Sequence, residues 1–132
     1  YGICPIHRRT FVKNFLKEDA APKAIGNRGE LLAAREMKKM GYEILAQNYR
    51  KPSGEIDIIA QKDGILVFTE VKYRSDASCG SPFEAVDFRK QEKIRRTALF
   101  YLCRYGYPEN TPCRFDVVGI TGSNIQLIRN AF

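Results

Sequence analysis

Two strand-like runs, Glu55 to Ala60 and Ile65 to Tyr73, flank the dipeptide Asp63-Gly64. No other feature of the chain restricts its fold as strongly. Asp-Gly favours a two-residue hairpin loop in which both central residues take positive φ, because that turn twists in the same sense as paired strands. So short a loop also fixes the register, and facing residues then have numbers summing to 127. Asp57 is expected opposite Glu70, and Glu55 opposite Lys72. Alternate strand residues share a face, so these four side chains project on one side, with the Asp57 and Glu70 Cβ atoms on the order of 5 Å apart. Ile59, Leu66 and Phe68 continue that face, while Ile56, Ile58, Val67 and Val71 line the other. Apolar residues on both faces predict a sheet covered on each side.

The flanking segments supply the cover. Asn27 as N-cap, Glu30 three residues on, an Ala- and Leu-rich stretch to Met40 and Gly41 as the stop predict a first helix. Tyr42 to Arg50 reads as a strand that turns at Pro52-Ser53-Gly54 into the hairpin. Ser75 to Ser81 has loop composition, and Pro82 opens a short helical piece. Asp87 can cap a long helix that ends before Gly106, and strands Cys113 to Ile120 and Asn124 to Ile128 close the chain around Gly122-Ser123. The order is α-β-β-β-α-β-β. A helix between the third and fourth strands makes a parallel crossover, so the expected class is α/β with a mixed sheet and flanking helices. Residues 1–24 read as a basic extension, and 25–132 as the domain.

With 132 residues and 44% hydrophobic side chains, the chain supports one buried core. It has no run of about 20 apolar residues such as a membrane span requires and no signal-type apolar stretch, so no membrane partner is expected. The four cysteines (Cys4, Cys79, Cys103, Cys113) are scattered and His7 is the single histidine, which excludes a zinc finger and leaves little room for Cys-His or Ser-His catalysis. Reduced thiols in the cytoplasm fit this pattern, with a Cys103 to Cys113 bridge as the alternative. Lys and Arg outnumber Asp and Glu 22 to 15, for a net charge of +7. That balance draws polyanions.

Like charges directly opposite one another destabilise a sheet, so Asp57 and Glu70 ask for a cation between them, and hard oxygen donors suit Mg²⁺ or Mn²⁺. Lys72 beside such an ion can orient a water or offset charge building on a phosphate. The competing reading is a solvated face on which Glu55, Asp57, Glu70 and Lys72 form ordinary salt bridges. Glu30 falls within the apolar arc of Ala33, Ala34, Met37 and Met40, so it points toward the sheet as a third carboxylate. Reciprocal capping with Asn27 is its alternative role.

The ordered set Gly29-Glu30, Gly54-Glu55-Ile56-Asp57 and Glu70-Val71-Lys72 resembles the D…ExK signature of restriction-endonuclease-like nucleases, in the branch that includes archaeal Holliday junction resolvases. More closely, the chain resembles the YraN-like family of uncharacterised bacterial proteins. That resemblance is carried by Gly41-Tyr42-Glu43-Ile44-Leu45, Asn48-Tyr49-Arg50, Phe68-Thr69-Glu70-Val71-Lys72-Tyr73-Arg74, Pro82-Phe83-Glu84-Ala85-Val86 and Arg114-Phe115-Asp116-Val117. It implies a restriction-endonuclease-like α-β-β-β-α-β core, metal ligands at Asp57 and Glu70, Glu30 as a further ligand or orienting group, and Lys72 as the catalytic lysine. The implied activity is Mg- or Mn-dependent hydrolysis of phosphodiester bonds in DNA, with branched DNA among the substrates. A nucleic-acid-binding module that keeps the fold without catalysis is the alternative, and a protein-interaction domain with incidental charge is a third.

On the long helix Arg89, Lys93 and Arg96 form one basic stripe, a track for phosphates or a solvated face. Arg50, Lys51 and Arg74 flank the acidic group and are further candidate phosphate contacts. Tyr49 and Tyr73 can stack on bases or serve as packing. Arg114 and Asp116 alternate on the fourth strand and read as a buried salt bridge that braces the sheet. The second half of the long helix, with Leu99, Phe100 and Cys103 outside its core side, leaves room for a partner, and by analogy with a two-fold junction that partner is a second copy.

Overall fold

The computed structural model describes residues 28–74, 86–121 and 124–132. The Asn27 cap, the Pro82 helical piece, the Gly122-Ser123 turn and the basic extension lie outside the described residues, as does the side chain of Arg74. Helix α1 (Arg28–Lys39) leads into strands β1 (Glu43–Lys51), β2 (Gly54–Lys62) and β3 (Ile65–Arg74); helix α2 (Phe88–Arg104) then precedes β4 (Cys113–Thr121) and β5 (Asn124–Ile128). Both helices stop in the same way. Gly41 takes φ +96°, Tyr42 N–H bonds to Met37 O at 3.0 Å and Gly41 N–H to Lys38 O at 3.0 Å. Gly106 repeats this with φ +71° and a Tyr107 N–H to Leu102 O bond of 2.9 Å. In each case a glycine supplies the left-handed residue that lets the last carbonyls be paired. At the other end of α2, the Asp87 carboxylate accepts from Lys90 N–H at 2.9 Å, as an N-cap should.

The strands lie in the order β1-β2-β3-β4-β5. β3 and β4 are parallel because α2 crosses between them, and the other neighbours are antiparallel. The result is an α-β-β-β-α-β core with an added edge strand. Ala33, Ala34 and Met37 of α1 pack with Ile58, Ala60, Val67, Val118 and Ile120 on one face. Ile94, Ala98 and Tyr101 of α2 pack with Tyr49, Ile59, Phe68 and Val117 on the other. Thus a sheet with two apolar faces is sandwiched between two amphipathic helices.

Asp63 and Gly64 take φ +54° and +79°, and five pairs from Ile58↔Thr69 to Lys62↔Ile65 keep the register summing to 127. There the β2–β3 ladder ends. Asp57 and Glu70 are therefore not cross-strand partners, nor are Glu55 and Lys72; Glu55 instead pairs with Arg50 of β1, whose Nε donates to Oε2 at 2.6 Å. Ile56 also departs from the expected alternation, since it joins Ile59 in the α2-side core. The cause lies in β1. Asn48 takes φ +54°, and Ala46 and Tyr49, three residues apart, both face α2; their β2 partners Ile59 and Ile56 follow them. A left-handed residue in one strand has turned both strands over at the level of Asp57.

Arg114 and Asp116 form the expected brace. Arg114 donates to both carboxylate oxygens (2.9 and 3.0 Å) and to the Tyr42 hydroxyl (2.8 Å), and Asn130 N–H also donates to Asp116, which is fully buried. Arg114 is held above its ordinary pKa chiefly by that carboxylate. Cys103 and Cys113 are free thiols, so the alternative bridge is not formed.

Candidate functional site

Because α2 returns antiparallel to β3, its first turn lies over the C-terminal half of that strand, where Glu70 and Lys72 stand. Between them opens a cleft of about 370 Å³, lined by Glu55, Asp57 and Glu70 from the sheet and by Asp87, Arg89, Lys90 and Lys93 from α2. Glu70 is 4% exposed. A carboxylate so buried must be paired, and its Oε2 receives Lys90 Nζ at 2.7 Å and Lys72 Nζ at 3.3 Å. Burial alone would depress the Lys90 pKa; the hydrogen bond and charge of Glu70 outweigh it and leave the ammonium more basic than usual.

Asp57 occupies the gap where β2 leaves β3. Its Oδ2 accepts the Val71 N–H at 2.8 Å, a backbone donor that the departing strand would otherwise leave unmatched. Burial, followed by the neighbouring Glu70 charge, pushes its pKa up to about 8; the Val71 bond opposes this, and Glu30 and Glu55 add to it. Glu30 comes to the same group from α1. Burial and then the charge of Glu55 raise its pKa, partly relieved by a backbone N–H and by Arg50. Four carboxylates thus interact at the end of the sheet where both helices begin. Among the described residues, no three acid, cysteine or histidine side chains already form a cage for a metal ion.

A latch fixes the β1–β2 turn against α2. Thr97 Oγ1 donates to Lys93 O at 2.8 Å, so its oxygen is left to accept from Ser53 Oγ, also at 2.8 Å. At Gly54 (φ +153°) a Cβ would lie 3.2 Å from Thr97 Oγ1 and 3.3 Å from Lys93 Cβ. Only glycine lets the turn come this close and carry Glu55 to the cleft wall.

Glu30, Asp57, Glu70 and Lys72 are therefore brought to one place, and Arg89 and Lys93 line it. Arg96, about one turn beyond Lys93 along α2, is exposed and does not line the cleft. Arg50 is bound to Glu55, and Lys51 lies over the Tyr49 ring, 5.2 Å from its centre. Tyr49 is buried edge-on against Tyr101 and is packing, whereas Tyr73 is 59% exposed. Sequence reasoning missed Lys90, which sits off the Arg89–Lys93–Arg96 stripe. The signal was present: a parallel crossover that begins at Asp87 puts the whole first turn of the helix above ExK.

Residues 29–120 match the model of a family described as Uncharacterised protein family UPF0102. The chain belongs to that family. The YraN-like motifs pointed to the same group. A UPF0102 protein of Lachnoclostridium phytofermentans is 50% identical over 110 residues, covering 83% of this chain and 93% of the relative. One from Symbiobacterium thermophilum is 46% identical over 115 residues (83% and 97%), and one from Saccharophagus degradans 43% over 107 (81% and 91%). These relatives thus align with this chain along nearly their whole length.

Proposed function

We propose that this UPF0102 protein is a metal-dependent endonuclease acting on DNA, with branched DNA among its substrates and Asp57, Glu70, Glu30 and Lys72 at its centre. The observation that carries the reading is Asp57 beside Glu70 in a cleft rimmed with cations: burial and the Glu70 charge oppose ionisation of Asp57, and a divalent ion would relieve that repulsion. The donors are carboxylate oxygens, which fit Mg²⁺ or Mn²⁺. Asp57 and Glu70 would hold the ion, with Glu30 as a further ligand or as an orienting group. When bound, such an ion lowers the pKa of a water and screens a phosphate. Lys72 aligns the nucleophile or offsets charge that builds on the phosphoryl oxygens. Arg89, Lys90 and Lys93 receive the phosphates of the strand and set its position.

The test is incubation with junction, flap, single-stranded and duplex DNA in the presence of Mg²⁺ or Mn²⁺. Metal-dependent cutting that disappears in Asp57→Ala and Glu70→Ala is expected; cutting unchanged in both variants removes these residues from the mechanism. A second reading, a binding module without catalysis, is favoured by one observation. Lys72 and Lys90 already neutralise Glu70 without any ion. Salt-dependent DNA binding with no uptake of metal would select it.

A further inference from the structure

Lys90 cannot hold Glu70 and a phosphate at the same time. Two ammonium groups converge on Glu70 Oε2, Lys90 Nζ at 2.7 Å and Lys72 Nζ at 3.3 Å, whereas Arg89 and Lys93 line the same cleft without pairing to Glu70. A divalent ion held between Asp57 and Glu70 would by itself balance both carboxylates. Two ammonium groups on one of its oxygens would then be surplus positive charge at contact distance, where Coulomb repulsion is strongest. One of them has to give way, and the two are not equally placed. Lys72 stands two residues from Glu70 on the same strand, with its side chain 21% exposed. Lys90 reaches in from α2, is 42% exposed, and shares the cleft wall with Arg89 and Lys93. Lys90 is therefore the cation with an open path to solvent and with basic neighbours on a surface that an anion can approach.

We infer that Lys90 is a two-position residue: it neutralises Glu70 in the absence of a divalent ion and passes to a phosphate of the nucleic acid once an ion sits on Glu70, so that ion and polyanion each strengthen the binding of the other. Without the ion, an arriving strand meets Arg89 and Lys93 but finds Lys90 engaged. With it, all three cations on the α2 wall are available. Because the coupling is a difference in binding free energy, it is reciprocal, and the strand must raise the affinity for the ion by the same factor. This rests on the reading of the cleft as a site for metal and nucleic acid, and it deepens that reading by naming the residue through which one ligand prepares the site for the other. It also accounts for a Glu70 that is already paired: Lys90 is the occupant that the ion replaces.

The experiment is fluorescence anisotropy on the full chain, in chelator and in saturating Mn²⁺ across a salt series, after calorimetry has measured Mn²⁺ uptake. The probe is a labelled single-stranded oligodeoxynucleotide with phosphorothioate linkages, which keep every charge and resist cutting. In chelator, wild type and Lys90→Gln should bind it within about twofold of one another, because Lys90 gives up one partly exposed ion pair to form another. Adding Mn²⁺ should strengthen wild-type binding roughly three- to fivefold more than that of Lys90→Gln, and the wild-type salt slope should then exceed the variant's by about one. Lys93→Gln is the control, a cation removed from the same wall but not from Glu70. It should weaken binding in both conditions and keep the wild-type gain from Mn²⁺, and Lys90→Arg should keep that gain too. Lys72 still pairs with Glu70 in Lys90→Gln, so the variant should fold, and a cooperative melt verifies it. An equal gain from Mn²⁺ in wild type and Lys90→Gln, a Lys90→Gln loss in chelator as large as that in Mn²⁺, or a wild type that binds the strand in neither condition overturns the inference while leaving any measured Mn²⁺ uptake standing. A wild type that takes up no Mn²⁺ defeats the metal reading and this inference with it, whereas uptake and coupling without cutting of ordinary DNA would defeat the nuclease reading alone.

Discussion

Replacing Asp57 with Asn should stabilise the metal-free protein, and the gain should depend on pH in a way that few substitutions imitate. In the folded chain this carboxyl keeps its proton up to about pH 8, because burial and then Glu70 oppose its charge; unfolded, it ionises near pH 4. A group whose pKa is raised by folding confers stability that is whole below its unfolded pKa and is lost as pH rises through the folded one. The loss is about 1.4 kcal/mol for each pH unit between the two values, or about 5 kcal/mol by pH 8. Asp57 is half-buried rather than sealed, so solvent lowers this to about 3 kcal/mol. Asn has the same shape and its Oδ1 can still accept the Val71 N–H, so the variant escapes the penalty without losing the bond. Urea unfolding of both proteins in a chelating buffer should therefore give nearly equal stabilities at pH 4.5 and a gap that widens steadily to about 3 kcal/mol at pH 8. Saturating Mn²⁺ at pH 7.5 should close the gap from the wild-type side, by about 2.7 kcal/mol at a hundred times the dissociation constant, and should leave Asp57→Asn unmoved. Parallel stability curves across that pH range would refute the claim that Asp57 is held against its own charge.

Lys90→Gln frees Glu70 Oε2 from its shorter ion pair. Calorimetric Mn²⁺ affinity should rise about fivefold, equivalent to the ~1 kcal/mol of a partly exposed pair, while the salt slope of DNA binding falls by about one. Thr97→Val removes the hydroxyl that links Ser53 to the Lys93 carbonyl; it should cost about 1–2 kcal/mol in denaturant unfolding, and adding Ser53→Ala should cost less than the two singles together. Asp116→Asn leaves the Arg114 guanidinium without its ion pair inside the brace. It should cost about 2–3 kcal/mol, and additive costs for Asp116→Asn and Arg114→Met would count against the brace.

What was legible in the sequence was whatever depends on a few neighbouring residues. Gly41, Gly106 and Asp87 mark helix ends because a left-handed stop and an N-cap are local events, and Asp63-Gly64 fixes five strand pairs for the same reason. The register extrapolated from that turn failed beyond Ile58 because the outcome there belongs to Asn48, in a different strand, whose left-handed backbone turns β1 and β2 together. Lys90 was missed for a related reason. A helical wheel sorts residues by their angle on one helix, whereas the partner of Lys90 is chosen by where the crossover sets that helix down. Thr97 carries no motif at all, and its role exists only because Gly54 lets a turn approach it.

The broken ladder also bears on what the site can do. Had the hairpin continued to Glu55, Asp57 would be one more side chain on a regular strand face, free to change rotamer. Because β2 leaves β3 at this level, Oδ2 is committed to the Val71 N–H and the carboxylate is held in one orientation beside Glu70. Two acids held together before any ligand arrives pay their repulsion in the folding equilibrium rather than in binding, which is the preorganisation that a cation site requires. On the proposed reading, the stability that Asp57→Asn should gain and the metal affinity it should lose come from the same contact. A variant that restored regular pairing, Asn48→Val for example, should loosen Asp57 and lower Mn²⁺ affinity without touching any carboxylate; unchanged affinity in a folded Asn48→Val protein would separate the strand reversal from the site.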